Sequence, residues 1–452
     1  MHSDQSYTGS LQTFRHGVHP ESYKERSSAS PIERMPFVEE YTMHLNQHLG
    51  APSKPIVREG QRVRRGELIA EAGGFVSVAL HAPVDGTVVA IDLFSHPNGQ
   101  MQPAIKIRID PYSTQRMEVP LPEIPVEQMD YQAFINGVQQ AGIVGMGGAA
   151  FPAHVKFAIP EGKVCRYLML NGCECEPFLT CDHRIMVEYA DALIDGTRIL
   201  QHFVQAEKIF IGIEANKPDA IAILREAAGS SGLPIEVAPL QVKYPQGAEK
   251  MMITAILGEE VPSGKLPLDV GTMVSNVGTI VAVADYFRRS KPLIERVLTV
   301  TGTAVQRAAN LLVPIGTPMR QVVEYCGGIT VPSPRILLGG PMMGMVQKNL
   351  DVPVVKGTSG ILILTDKEVQ SFDTYSCIRC GRCLDACPLF LNPAKMGLLA
   401  KNGLWDELEE NNVLDCFECA SCSFVCPSGI PLVQSFRVGK SMIREKKARE
   451  NK

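Results

Sequence analysis

No stretch of this chain approaches the roughly 18–20 consecutive apolar residues that a membrane span needs. The longest apolar stretches, such as Gly360 to Leu364, have strand length. If the protein serves a membrane process, other subunits must supply the membrane part. Met1 to Thr13 is polar and lacks the apolar segment of a secretory signal, so no such signal is expected. Charge of one sign is scarce too. Lys and Arg number 44 against 48 Asp and Glu, a formal net charge of −4, and nothing in that balance suggests nucleic acid. Apolar residues make up 45% and charged residues 20% of the 452, ordinary values for globular material with room for about three domains of roughly 150 residues.

Cysteine is not scarce: there are 13. In a small secreted protein that would hint at disulfides. Here eight of them fall into the pattern Cys-x2-Cys-x2-Cys-x3-Cys-Pro, written twice. The first run is Cys377, Cys380, Cys383, Cys387 and Pro388; the second is Cys416, Cys419, Cys422, Cys426 and Pro427. This spacing belongs to domains holding two [4Fe–4S] clusters, in which the fourth thiolate of each run binds the other run's cluster. It assigns Cys377, Cys380, Cys383 and Cys426 to one cluster, and Cys416, Cys419, Cys422 and Cys387 to the other. A four-cysteine zinc site uses two Cys-x2-Cys pairs separated by a longer loop, which the immediate third and fourth cysteines do not match. Thiolate-held clusters point to a reducing compartment and to single-electron transfer.

The chain divides by pattern. Residues 1–30, rich in Ser, His and charge, read as an irregular arm. From 31 to 115 short β-branched segments alternate with Gly turns, as in Pro55 to Ile69 and again in His81 to Ile91, a quasi-repeat similar to the lipoyl and biotinyl carrier fold. Ala72 to Leu80, where such carriers display a modified lysine, has none, so no carrier role is expected. Pro120, Pro122 and Pro125 make 116–127 a linker. From 128 to 290 strands alternate with helices, predicting an α/β layer on a largely parallel sheet; Pro218 to Ala228 has helical spacing that ends at Gly229. Strands around a helix at Thr317 to Cys326 fill 291–345, connecting strands 346–368, and the cluster domain 369–440, with Pro393 to Glu410 helical. A basic tail occupies 441–452 and reads as a solvated helix end.

Gly142 to Pro152 carries a second chemical signature. Its glycines let backbone N–H groups approach an anion, and Lys156 follows about one helical turn later, the pattern of a phosphate cradle. The loop matches neither Gly-x-Gly-x-x-Gly nor a Walker loop. The next strand ends in Asn171-Gly172-Cys173-Glu174-Cys175-Glu176-Pro177. This puts an amide and two carboxylates at the carboxyl end of a strand, where α/β sheets bind ligands. Such an Asn can bond an isoalloxazine edge, and such a carboxylate can position a nicotinamide ribose. Cys165, Cys173, Cys175 and Cys181 fit no common metal spacing, and Cys326 reads as core.

Gly145 to Pro152 with Lys156 resembles the FMN loop of the NADH-binding subunit of respiratory complex I, and Asn171 to Pro177 resembles that family's segment touching FMN and NADH. Ser275 to Thr279 is similar to its phosphate segment, Tyr244 to Glu249 to its glycine–glutamate loop, and 291–345 to its ubiquitin-like domain. Cys173 replaces the family's aspartate. With a barrel-sandwich in front and two cluster runs behind, the order of modules resembles the RnfC proteins of the Rnf complexes, bacterial ferredoxin:NAD⁺ oxidoreductases coupled to ion transport.

That resemblance implies a multidomain α/β and β architecture: a barrel-sandwich hybrid, a Rossmann-like FMN-binding domain, a ubiquitin-like β-grasp domain and a helical two-cluster ferredoxin domain. It implies non-covalent FMN, two [4Fe–4S] clusters and NADH or NAD⁺ as substrate, without a catalytic acid or base. The implied flavin and nucleotide residues are Gly145, Gly147, Gly148, Ala149, Lys156, Asn171, Glu174, Glu176, Gly247, Glu249, Asn276 and Thr279. The implied partners are a ferredoxin-like subunit and integral membrane subunits, with the chain peripheral on the cytoplasmic side of a bacterial inner membrane. Two alternatives stay open: a soluble corrin reductase of a bacterial microcompartment, and an electron relay without NADH activity.

Overall fold

The computed structural model describes residues 11–117, 125–369 and 373–450. Arm residues 1–10, Pro120 and Pro122 of the linker, 370–372 at the start of the cluster domain and the last two residues of the tail lie outside the described residues.

The barrel-sandwich forms from two antiparallel sheets. One runs Glu40–His44, Met101–Ile109, Gly86–Ser95, Arg62–Val63; the other Lys54–Pro55, Leu68–Glu71, Leu80–His81. Alternation sends Tyr41, Met43, Ile105 and Ile107 inward, all fully buried. The hairpin between Leu68–Glu71 and Leu80–His81 does not project as a carrier arm would. Gln139 Nε2 donates to the carbonyls of Gly74, Phe75 and Ser77, and His154 Nε2 lies 2.7 Å from the Phe75 carbonyl. The hairpin without a lysine is docked on the next unit.

That unit is a parallel sheet of Tyr167–Asn171, Lys208–Glu214, Ile235–Leu240 and Thr272–Asn276, with spatial order third, second, first, fourth. Its strands are buried on both faces and read as near-continuous apolar runs. Helix Pro218–Ser231 continues past Gly229, where the sequence pattern ended it, and stops at Gly232 in the left-handed conformation. A single glycine inside a helix costs only about 1 kcal/mol, and packing overrides it.

The third unit is a six-stranded sheet around helix Met319–Tyr325: Ile32–Arg34, Ala309–Pro314, Glu295–Thr301, Gly360–Leu364, Arg335–Leu338, Met345–Gln347. Two of its strands come from outside 291–345. Ile32–Arg34, grouped by pattern with the barrel-sandwich, pairs in parallel with Asn310 to Leu312. Gly360–Leu364, read as a connector, lies between the two halves of the sheet.

The cluster domain is helical. The segment expected as one helix is two, Pro393–Lys401 and Trp405–Glu410, broken at Asn402 to Leu404. The last helix, Leu432–Glu450, takes in the basic tail. No helix among the described residues is long and apolar enough to cross a membrane.

Candidate functional site

In an open parallel sheet, ligands bind outside the carboxyl ends of the strands where the strand order reverses. Here the reversal falls between Tyr167–Asn171 and Thr272–Asn276, because the second and third strands extend to one side of the first and the fourth returns to the other. Asn171 and Asn276 end these two strands as register partners. The two asparagines read separately from the sequence therefore stand side by side at the switch point.

The glycine loop meets them there. Gly147, Gly148 and Ala149 are exposed at its tip. A Cβ on Gly147 would lie 3.5 Å from the Asn276 side chain. Gly148, at φ +131°, has nothing within 4 Å of a Cβ position. Thr279, in the first turn of helix Val277–Arg289, anchors the loop: its Oγ1 accepts from Met146 N at 3.0 Å and donates to Val144 O at 3.3 Å. Gly145 N donates to Phe151 O at 2.7 Å and closes the loop's base.

Several predicted residues have definite protein partners. Asn171 Nδ2 donates to Gly247 O at 2.7 Å. Asn276 Nδ2 donates to Asp182 Oδ2 at 2.6 Å, and its Oδ1 accepts from Gly278 N. Burial, and next the neighbouring Glu174, push the Asp182 carboxyl up to about 7. Lys156 Nζ is paired with Glu249 and donates to Val274 O. Burial pulls its ammonium down to about 8, a shift that the adjacent carboxylate opposes.

The two carboxylates face different neighbours. Glu174, at φ +47°, accepts from Asp182 N and His183 N and so satisfies the first turn of helix Cys181–Glu188. Glu176 reaches the third unit, accepting from Met342 N at 3.0 Å and Met343 N at 2.8 Å. Gly340 permits that approach, since a Cβ there would sit 2.3 Å from Glu176 Oε2. Burial pushes the Glu176 carboxyl up to about 7, against the two backbone donors.

Some residues at the site gave no sequence signal. Lys24 of the arm is buried and donates to the carbonyls of Glu174, Glu176 and Leu179. Lys217 is also buried and donates to Cys173 O at 2.6 Å. Two ammonium groups thus lie behind the Asn171 to Pro177 loop. Nothing in a local window links residue 24 to residue 174.

Among the cysteines, Cys387, Cys416, Cys419 and Cys422 line one cavity with Leu391, Met396, Val433 and Phe436. Burial, first, and then Cys377, Cys380 and Cys426 push the Cys383 thiol up. Cys377 and Cys380 are exposed, while Cys387, Cys419 and Cys422 are buried. The shared cavity thus brings together three thiols of the second run and the fourth of the first. Four convergent thiols in an apolar pocket fit an iron–sulfur cluster. For a flavin, the exposed glycine tip beside Asn276 provides a cradle that a Cβ would narrow. In addition, the fully buried Gln246 side-chain amide next to Gly247 has no hydrogen-bond partner among the described residues at either end, and buried polar atoms rarely stay unpaired.

The modules have known counterparts. Family models match residues 12–112 (RnfC barrel sandwich hybrid domain), 138–285 (Nuo51 FMN-binding domain), 297–346 (SLBB domain) and 373–430 (4Fe-4S dicluster domain). The RnfC-type protein of the proton-translocating ferredoxin:NAD(+) oxidoreductase complex of Clostridium ljungdahlii is 44% identical, covering 97% of this chain and 96% of the relative. The counterpart from the Na(+)-translocating complex of Acetobacterium woodii is 42% identical, covering 97% and 99%. The chain belongs to the RnfC family. The RnfC-type protein of the ion-translocating oxidoreductase complex of Rhodobacter capsulatus, at 40% identity, covers 98% of this chain and is itself covered over 85%. The match to these RnfC relatives extends from the arm to the last helix and so takes in the barrel-sandwich and both cysteine runs.

Proposed function

We propose that this chain is the peripheral NADH-oxidising or NAD⁺-reducing subunit of an ion-translocating membrane complex, passing electrons between a nicotinamide nucleotide and two [4Fe–4S] clusters. The observation that carries this is the switch point, where Asn171, Asn276 and the Gly147 to Ala149 tip converge in a chain that also lines one cavity with Cys387, Cys416, Cys419 and Cys422. FMN held there supplies two-electron chemistry with the nucleotide and one-electron chemistry with the clusters.

The residues divide the work. Backbone N–H groups of Gly145, Gly147, Gly148 and Ala149 cradle the flavin phosphate, with Lys156 exchanging Glu249 for it. Asn171 and Asn276 orient the ring, Gly247 gives it room, and Thr279 keeps the loop in place. Glu176 takes a ribose hydroxyl by exchanging its Met342 and Met343 donors. Glu174 holds the helix that carries Asp182. No side chain moves a proton in the hydride step. Cys377, Cys380, Cys383 and Cys426 hold one cluster, and Cys387, Cys416, Cys419 and Cys422 the other.

The strand order supports reading the α/β unit as Rossmann-like, and the strands around Met319–Tyr325 support a ubiquitin-like β-grasp. The division at 31–115, 128–290, 291–345, 346–368 and 369–440 belongs to this proposal, with Ile32–Arg34 and Gly360–Leu364 joining the third unit's sheet. The partners are a ferredoxin-like subunit and integral membrane subunits, with the chain on the cytoplasmic face of the inner membrane. The barrel-sandwich match favours this reading over a corrin reductase, and the full set of flavin-loop residues favours it over a relay without NADH activity.

Gly148→Val tests the flavin site. A branched side chain at φ +131° is strained and blocks the tip. The variant is expected to lose extractable FMN and keep its iron; retention of FMN at the parental level would refute the loop assignment.

A further inference from the structure

The two thiol sets are not equivalent with respect to the flavin unit. Tyr244, fully buried, donates its hydroxyl to the backbone carbonyl of Cys419 at 2.8 Å. It sits three residues before Gly247, whose carbonyl holds Asn171 and whose N–H donates to Cys175 Sγ at 3.3 Å. Tyr244 and Cys419 form one apolar cluster with Val18 and Ala386, and Cys175, Met342 and Phe417 pack against it. A second tie runs from Ser263 and Gly264 to Asp415, the residue before Cys416. The arm binds both units: Val18 and Tyr244 exchange backbone hydrogen bonds at 2.8 Å, and His16 Nδ1 lies 3.1 Å from Leu384 O. The ties from the flavin unit thus reach the stretch Asp415 to Cys419. In the first run, by contrast, Cys377 and Cys380 are exposed, with Tyr375 65% and Ile378 68% exposed beside them in the chain.

Resting on the function proposed above, we infer that the cluster held by Cys387, Cys416, Cys419 and Cys422 is the one that exchanges electrons with the flavin unit. Tyr244 is the positioning residue that seats it, and the cluster held by Cys377, Cys380, Cys383 and Cys426 is the exit to the partner. Electron tunnelling falls steeply with distance, so the order of transfer follows the packing: Asn171 and Gly247, then Cys175 and Tyr244, then Cys419. The balance closes within the chain. NADH yields NAD⁺, a proton and two electrons, and each cluster takes one electron.

The test uses the full-length chain, purified without oxygen, in three forms. Cys380→Ala removes a ligand from the exit set, Cys422→Ala removes one from the inner set, and Tyr244→Phe keeps the ring and deletes the hydroxyl. Each is read by EPR after dithionite, which reduces any assembled cluster directly, and after NADH with rapid freezing. Bleaching of flavin absorbance by NADH reports the hydride step separately. In Cys380→Ala, NADH is expected to reduce the surviving cluster as in the parent. In Cys422→Ala, dithionite is expected to reduce the surviving cluster while NADH-driven reduction on the freezing timescale is lost, although NADH still bleaches the flavin. The opposite pattern, or the same response in both variants, overturns the order of transfer. Tyr244→Phe is expected to shift the midpoint potential and EPR line shape of the inner cluster, to leave the exit cluster's signal in place and to leave flavin bleaching at the parental rate. An unchanged inner signal removes Tyr244 from the role even if neither cysteine variant assembles its domain. Failure of NADH to bleach the parent's flavin would instead overturn the function on which the inference rests.

Discussion

Glu176 shows how one side chain can hold two functions apart. Its carboxyl group is pushed up to about 7 by burial and is clasped by the N–H groups of Met342 and Met343. In the function proposed above Glu176 accepts from a ribose hydroxyl, and only the ionised form accepts with both oxygens. Because the folded pKa is raised, the protonated form dominates below about pH 7 and the carboxylate above it. The KM for NADH is therefore expected to fall as pH rises through about 7. Glu176→Gln is expected to flatten that dependence and to raise the KM by about tenfold, the equivalent of roughly 1.4 kcal/mol. Steady-state kinetics from pH 6 to 8.5 on both proteins decides it; an identical pH profile in the variant would leave Glu176 with its contact to the third unit as its only role.

Elements differ in how far the sequence exposed them. The cysteine runs were fully legible, because cluster ligation fixes spacing within a few residues and leaves little for tertiary structure to add. Asn171 was legible as a strand end and Asn276 only through the resemblance of Ser275 to Thr279, and their pairing came only with the strand order. Ile32–Arg34 could not be placed, since three residues carry no signal of which sheet they join, and its partner strand, Ala309–Pro314, lies far along the chain. The break at Asn402 to Leu404 was missed because the helical spacing on either side runs through it.

The barrel-sandwich carries its own prediction at this scale. Burial, the first cause in each case, pulls His44 and His48 down to about 4 and His81 down to about 3. A histidine whose folded pKa is depressed favours the unfolded state once protons become available to it. Stability is therefore full above the unfolded value of about 6.5 and is lost as pH falls toward 3–4. Each histidine contributes on the order of 3–5 kcal/mol to that loss. Amide-exchange protection of residues 40–109 is expected to drop between pH 7 and pH 5 more than that of the parallel sheet. Equal loss in both would assign acid sensitivity elsewhere.

At the scale of the whole molecule, long-range ties hold the modules in register. Lys356, fully buried, donates to Ala79 O of the barrel-sandwich and to Gly142 O at the base of the glycine loop. The arm reaches from the Asn171 to Pro177 loop, through Lys24, to the cluster domain, through His16. These ties were illegible in the sequence because each joins residues far apart in the chain through a single polar group, without a periodic pattern to announce it.

The central claim is that one chain takes electrons from a nicotinamide nucleotide and spreads them over two clusters. Anaerobic purification, extraction of flavin and iron, and an NADH titration followed by absorbance and EPR test it most directly. About one FMN and about eight iron atoms per chain are expected, with NADH bleaching the flavin and bringing up the signals of reduced clusters. Iron at that level with no flavin and no response to NADH would contradict it and leave the chain an electron relay.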